Sequence, residues 1–371
     1  MRKLLLYSLL SLSILINFSA IKKSTSELTR NFSFGNPEVS SINKLSFGPE
    51  GLLFIGDSKN AMIHVIETKD VTKSQKSSKI AIKDFDEKIA NALGSTAKNI
   101  KITDMAVNPI SKTPYFSIHL QDGTPVLLKL IAGELKNVSL KNVSFSQTNL
   151  LDAVAVDSKD KRGRALRTWA ISDLKYHENK VYVSGLSNKE FASTFRSINF
   201  PFTKEQDYAS LEIYHAAHGR YETYAPIKTF NIIKIKKEDY LLASYTCTPL
   251  VLFPLKNLQN KKHVKGRTIA ELGGGNSPID MISFYKGDEL KLYMSNTNRP
   301  IMRINFNDIV NFKDSITTEV KEFGKDTGLT YDNLPFVNVQ QFDDLDDDNV
   351  LLLRRRNDGV LYLHNRSKKW L

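Results

Sequence analysis

The chain has 371 residues, 41% of them hydrophobic and 25% charged, and a formal net charge of +12. That balance excludes a globally disordered chain and leaves enough apolar residues for a large core. One cysteine, Cys247, excludes an internal disulfide, a multi-cysteine zinc site and covalently attached haem.

Residues 1–20, MRKLLLYSLLSLSILINFSA, carry Arg2 and Lys3, then an apolar run from Leu4 to Ile16, then small or polar residues to Ala20. This is the layout of a secretory signal peptide, and its apolar run is short for a membrane-spanning helix of about 20 residues. Without cleavage the same segment would be an N-terminal anchor. The expected organisation is a signal peptide at 1–20, a linker at 21–38 and one domain at 39–371. The mature chain is then secreted or periplasmic and has no transmembrane segment.

Six similar units follow. They are INKLSFGPEGLLFIGDS from Ile42, ITDMAVNPISKTPYFSIHL from Ile102, ISDLKYHENKVYVSGLS from Ile171, IKTFNIIKIKKEDYLLASYTC from Ile227, IDMISFYKGDELKLYMSNTN from Ile279 and FVNVQQFDDLDDDNVLLLRRR from Phe336. Each is a strand, a polar turn and a second apolar strand. Ser117, Ser184, Ser244 and Ser295 hold one position in four second strands, and Gly56 holds it in the first. Strand units repeating every roughly 50–70 residues predict an all-β fold, a single β-propeller. Six units predict six blades; the wide gap between the second and third leaves seven open, and tandem sandwiches are the other all-β arrangement. AMIHVIETK and SKIAIKDF are expected to complete the first blade, PIMRINF and TTEVKEF the fifth, and GVLYLHN and SKKWL the sixth. FDEKIANALG is the one short helix expected between the first two blades, and VDSKDKRGRALRTW is a polar excursion.

FGPEGLLFIGD resembles the blade motif of the NHL-type and gluconolactonase-type propellers, where a strand, a Gly-Pro-Asp-Gly turn and a second strand recur. The resemblance covers about a dozen residues of the first unit and, loosely, the repeat after it, so it implies a fold and no activity.

Asp104, Asp173 and Asp280 occupy matching positions near the starts of three first strands, and Lys44 falls there in the first unit. In a propeller such positions face the channel mouth. Converging carboxylates suit Ca2+ or another divalent cation, or acid–base work on a bound substrate. Gluconolactonase-like and paraoxonase-like propellers hold a catalytic calcium at such a place, which the likeness of architecture implies here. The structural alternative is that each aspartate accepts a hydrogen bond from neighbouring-blade backbone.

Arg196 lies in the aromatic-rich stretch LSNKEFASTFRSINFPFTK, expected to be a loop over the mouth where the guanidinium meets an anion, or else a phenylalanine plug on the blade. LEIYHAAHGRYETYAP has His215 and His218 three apart, without the four-residue spacing and adjacent glutamate of a zincin helix. Its alternation predicts a hairpin turning at His218-Gly219, with His215 in a strand as a packed residue or a ligand, and His218 solvated. Cys247, in an apolar run, is expected to be a buried, inert thiol. FDDLDDDNV lacks the glycine and glutamate of an EF-hand loop and is expected to be a solvated turn between strands, with a weak calcium contact as the alternative. LGGGNSP lacks the Lys-Ser/Thr of a phosphate-binding loop and is a connector.

The basic residues are scattered, not gathered into a stripe, which argues against nucleic acid. The resulting expectation is an extracytoplasmic, non-catalytic propeller binding a small molecule, polysaccharide or protein at its channel mouth. One alternative is a divalent-metal-dependent hydrolase of lactonase or esterase type, with Asp104, Asp173 and Asp280 around the ion. A second is a quinone-dependent oxidoreductase.

Overall fold

Strands that are covered on both faces have no polar side to show, and the second strands here are of that kind. Leu52–Asp57 is buried throughout, as is all of Lys180–Leu186 after its first residue. What covers them is a neighbouring sheet on each side. The computed structural model describes residues 26–371, and the expected signal peptide lies outside the described residues.

Six sheets form six blades. Their innermost strands are Lys44–Phe47, Ile100–Val107, Asp173–His177, Thr229–Ile235, Pro278–Lys286 and Val339–Asp344, which number blades 1 to 6 in chain order. Each pairs antiparallel with the strand that follows it, as the strand–turn–strand repeat predicts. The Gly-Pro-Glu-Gly turn of blade 1 has Glu50 and Gly51 both at positive φ, +56° and +69°. Gly51 tolerates this because it lacks a Cβ, which would also press on the Asp70 carbonyl at 3.1 Å.

The blades are not arranged around the axis in chain order. Six apolar clusters fill the six gaps between sheets, and each joins a particular pair. Leu45, Leu53 and Ile55 of blade 1 meet Ala106, Tyr115 and Leu127 of blade 2. Phe54 and Val65 of blade 1 meet Leu174 and Val183 of blade 3. Further clusters join blades 3 and 4, 4 and 5, and 5 and 6. The last joins blade 6 to blade 2, through Leu351 and Leu363 against Met105 and Phe116. The ring therefore runs 2–1–3–4–5–6 and closes between blades 6 and 2.

This order depends on two exchanged strands, where the structure corrects the sequence-based assignment. Ala81–Ile82, within SKIAIKDF, does not complete blade 1; it crosses to blade 6 and pairs with Leu361–Ser367. Blade 1 is completed by Val143–Asn149, which returns from beyond blade 2 to pair with Met62–Glu67. The outer strand of blade 5 is Asp332–Asn333 and not TTEVKEF, and SKKWL ends in a 3-10 turn at Lys368–Trp370. Two-residue strands carry no periodicity that a sequence could reveal, and pairing partners are set by where the chain crosses. Within the stretch assigned as a linker, Ser33–Gly35 adds a fifth strand to blade 1. The helix Phe85–Ala92 matches the expected one and seals the blade 6–blade 2 gap with Phe85 and Ile89.

Candidate functional site

The innermost strands bring one residue per blade to each level of the axis. In the cross-strand register, Lys44 lies opposite Gly56, Asp104 opposite Ser117, Asp173 opposite Ser184 and Thr229 opposite Ser244. The small residues of the second strands thus sit behind the polar residues of the first. Irregularities in pairing between Ile102 and Asp104, and between Pro278 and Met281, adjust where Asp104 and Asp280 point.

Every gap between blades is crossed by a hydrogen bond from these strands. Asp104 accepts from the Leu45 amide at 2.7 Å, Asp173 from Phe230 at 3.0 Å, and Asp280 from Phe342 at 2.8 Å. Asp343 accepts from Val107 at 2.8 Å, and the Ser46 hydroxyl accepts from Tyr176 at 3.0 Å. Asn231 donates to the Ser283 hydroxyl at 2.9 Å. These six contacts follow the ring 2–1–3–4–5–6–2, so the aspartates have the structural role that backbone acceptance predicts.

The second oxygens of Asp173 and Asp343 accept from the amides of Leu174 and Asp344, both at 2.8 Å, while those of Asp104 and Asp280 face the axis. Lys44 Nζ donates to Asp104 Oδ1 at 3.2 Å and lies 4.0 Å from Asp280 Oδ1. Burial opposes the Lys44 charge, but Asp104, Asp173 and Asp280 together outweigh it and hold the ammonium well above the ordinary lysine range. Burial raises Asp104 against the pull of Lys44. Asp280 is pushed up to about 7 by burial and by Asp104 and Asp173. Two of the sequence-predicted aspartates, Asp104 and Asp280, thus meet an ammonium supplied by the fourth matching position, and Asp173 acts on it through its charge.

Beyond Lys44 lies a cavity of about 320 Å³ on the axis, lined by the innermost strands and by the turn after Val339–Asp344. Its wall carries seven aspartates (Asp104, Asp173, Asp280, Asp343, Asp344, Asp346, Asp347) and three lysines (Lys44, Lys112, Lys175). Burial pushes Asp343 up to about 7, with the amides of Val107 and Asp344 pulling the other way. Lys175 spans the channel to the Met281 carbonyl at 3.0 Å. Asp344 is paired with Lys368 at 2.7 Å, and Asp346 accepts from Ser77 and Asn349. Phe47 and Tyr176 supply aromatic wall. The acidic FDDLDDDNV is accordingly part strand and part cavity wall, where a solvated turn between strands was the leading expectation.

Arg196 is elsewhere. Its stretch is no loop over the mouth but the strand Ser193–Asn199, and the side chain is buried inside blade 3, where it donates to the Leu151 carbonyl at 2.8 Å. Burial draws it down to about 10. Phe200 and Phe202 pack on Phe54, so this segment is the plug of the alternative reading.

The two histidines lie on the predicted hairpin, between Gln206–His215 and Arg220–Glu222. His215 is buried, and the His218 side chain at the turn is 41% exposed. Their rings meet at a tilt of 40°, with centroids 3.9 Å apart. Glu222 serves both: Oε2 lies 3.0 Å from His215 Nδ1 and Oε1 lies 2.7 Å from His218 Nδ1. Burial works against the Glu222 charge, yet these two imidazoles bring its carboxyl down to about 2. Cys247, from the blade 4 loop after Glu238–Ser244, joins them. It is half-buried, not buried as the apolar run predicts. Among the described residues, His215, His218 and Cys247 are the one group of three or more His, Cys, Asp or Glu residues whose ligand atoms all lie within 4.8 Å. Glu222 was legible as the diagonal neighbour of His215 in an antiparallel hairpin. Cys247 was not, because it comes from another blade.

No protein family and no curated protein matches this sequence. Among solved structures, the chain is similar to the WD40 β-propeller domain of Doa1, at 6% identity and a TM-score of 0.32, over 91% of this chain and 96% of that one. It is also similar to a putative oxidoreductase (glucose dehydrogenase) from Thermus thermophilus, at 10% identity and 0.33, over 90% and 100%. A third is the aldose sugar dehydrogenase of Streptomyces coelicolor, solved with PQQ bound, at 10% identity and 0.31, over 90% and 98%. At such values no ligand or activity passes from these proteins to this chain.

Proposed function

We propose that the protein is a non-catalytic binding propeller whose axial cavity takes a small organic cation, an amine. The observation that carries this reading is the excess of carboxylates in that cavity, seven against three lysines, in a chain whose net charge is +12. An ammonium group in this cavity meets carboxylates and the aromatic side chains of Phe47 and Tyr176, a combination that favours cations. The cavity volume is at the small end of ligand sites, about 300–1,000 Å³. Lys44 already neutralises the deep end, so a calcium ion shared by Asp104, Asp173 and Asp280 would have to displace its ammonium. We also take residues 1–20 to be removed and the mature protein to work outside the cytoplasm, which the N-terminal sequence of the recovered protein tests.

Calorimetric titration with a diamine such as putrescine tests the binding reading. A cation prefers the ionised carboxylates, and Asp280 and Asp343 ionise near pH 7 in the folded protein. Affinity therefore rises as pH increases through about 7, with proton release, and falls with added salt. Asp343→Asn, which keeps an acceptor for the Val107 amide, weakens binding about tenfold. Tighter binding of citrate than of the diamine, or heats unchanged in the variant, would overturn the proposal.

A further inference from the structure

The histidine pair and Cys247 lie away from the axial cavity, in the gap between blades 3 and 4, at the end of the propeller where the innermost strands begin. We propose that His215, His218 and Cys247 form a three-ligand site for a divalent transition metal of the zinc class, with a fourth position beside Glu271.

The tautomers point to this. Each oxygen of the Glu222 carboxylate faces an imidazole Nδ1, and a carboxylate accepts, so each ring donates to it from Nδ1. Both Nε2 atoms are left with free lone pairs. A carboxylate behind a histidine is the usual second partner of a metal ligand, where it orients the ring and raises its basicity. Here one carboxylate does this for two rings.

Buried atoms without partners give a second, independent indication. His215 Nε2 and Glu271 Oε1 are both buried and make no hydrogen bond. They lie 3.8 Å apart, too far for a hydrogen bond. Ligands of a tetrahedral zinc are separated by about 3.5 Å, given bonds of about 2.0–2.3 Å. The other Glu271 oxygen is fixed by the amides of Ala216 and Ala217 at 3.1 and 3.3 Å, which leaves Oε1 facing the gap. A water on the fourth position would satisfy it.

The thiol is held in place by an unusual loop. Cys247 and Thr248 are consecutive non-glycine residues at φ +66° and +64°. The loop is fastened by Cys247 N to the Asn276 carbonyl at 2.8 Å and by Thr248 Oγ1 to the Gly273 carbonyl at 3.0 Å. This gives the connector LGGGNSP the task of positioning the ligand loop. Two imidazoles and a thiol select zinc-class ions over calcium or magnesium. Binding converts the Cys247 thiol to thiolate and releases its proton.

Cobalt(II) titration of the chelator-treated, reduced full chain tests the site. The expected result is a thiolate-to-cobalt charge-transfer band in the near ultraviolet that saturates at one ion per chain and is abolished by zinc. Cys247→Ser loses the band. Glu222→Gln keeps it but binds about 10–100-fold more weakly. His218→Ala, at a half-exposed position, loses tight binding while circular dichroism remains that of the native protein. Absence of the band in the native chain, or unchanged cobalt affinity in Cys247→Ser or His218→Ala, would refute the site.

Discussion

Lys44 is the one residue on the axis whose charge is needed by groups on several blades at once. Replacing it with methionine keeps the bulk but leaves Asp104 buried without a counter-charge. Breaking a buried pair from one side costs about 3–5 kcal/mol, and protonation of Asp280 will absorb part of that, so urea denaturation should show a loss of about 3 kcal/mol. A midpoint unchanged from the native protein would mean that the carboxylates do not depend on the ammonium. Asp343 gives a pH-dependent counterpart. Folding raises its pKa from near 4 to about 7. Between those values the folded chain holds a proton that the unfolded chain has released, so the stability Asp343 contributes is full below about pH 4 and lost as pH climbs through about 7. Asparagine does not ionise. Asp343→Asn should therefore gain in melting temperature relative to the native protein between about pH 5 and about pH 8, and parallel curves would contradict the assignment. Of the axial residues, Asp104, Asp173 and Asp280 were legible because the repeat aligns them. Asp343 was hidden in a run of aspartates behind a register shift between Val339 and Gln341. Lys44 was visible as the exception in the series, but a sequence does not show that an exception sits in the middle of its neighbours.

At the level of elements, the least conspicuous strand closes the ring. Ala81–Ile82 pairs with only His364 and Leu363, and the contact is extended by Asn365, whose amide donates to the Ile80 carbonyl at 3.1 Å. Its side-chain oxygen accepts from the Ile80 amide at 3.2 Å. Asn365→Ala removes that acceptor and strands a partly buried amide. The cost should be about 1 kcal/mol in chemical denaturation, and hydrogen exchange at Ile80 should accelerate with little change in the blade 3 strands. Equal acceleration in blade 3 would show that the closure is not a local element. The second strands, such as Leu52–Asp57, were readable because burial on both faces leaves a long apolar run. The outer strands of blades 1, 5 and 6 were misassigned for the converse reason. Those of blades 5 and 6 are two residues long, and that of blade 1, Val143–Asn149, returns from beyond blade 2, so neither pattern nor proximity in sequence identifies them.

For the whole molecule, the exchange of strands changes what can come apart. In a propeller assembled in chain order, each blade contacts its sequence neighbours, and a single overlap closes the ring. Here the segment between Glu67 and Asn149 leaves blade 1, contributes to blade 6, builds blade 2 and returns to blade 1. Three blades therefore share one stretch of chain, and blade 2 cannot leave without removing the outer strands of two neighbours. Blades 3, 4 and 5 exchange only shorter pieces, His263–Lys265 pairing with Gln206–His215 of blade 3 and Thr327–Gly328 with Arg267–Glu271 of blade 4, and none of these carries a whole blade with it. Deuterium exchange at rising urea should accordingly release Val143–Asn149, Ala81–Ile82 and the blade 2 strands as one cooperative unit. Its opening free energy should match in all three segments, because each carries the others' pairing partners. If blade 2 amides exchanged while Val143–Asn149 stayed protected on Met62–Glu67, the blades would be separable, and the ring order 2–1–3–4–5–6 would be a matter of packing without interlock.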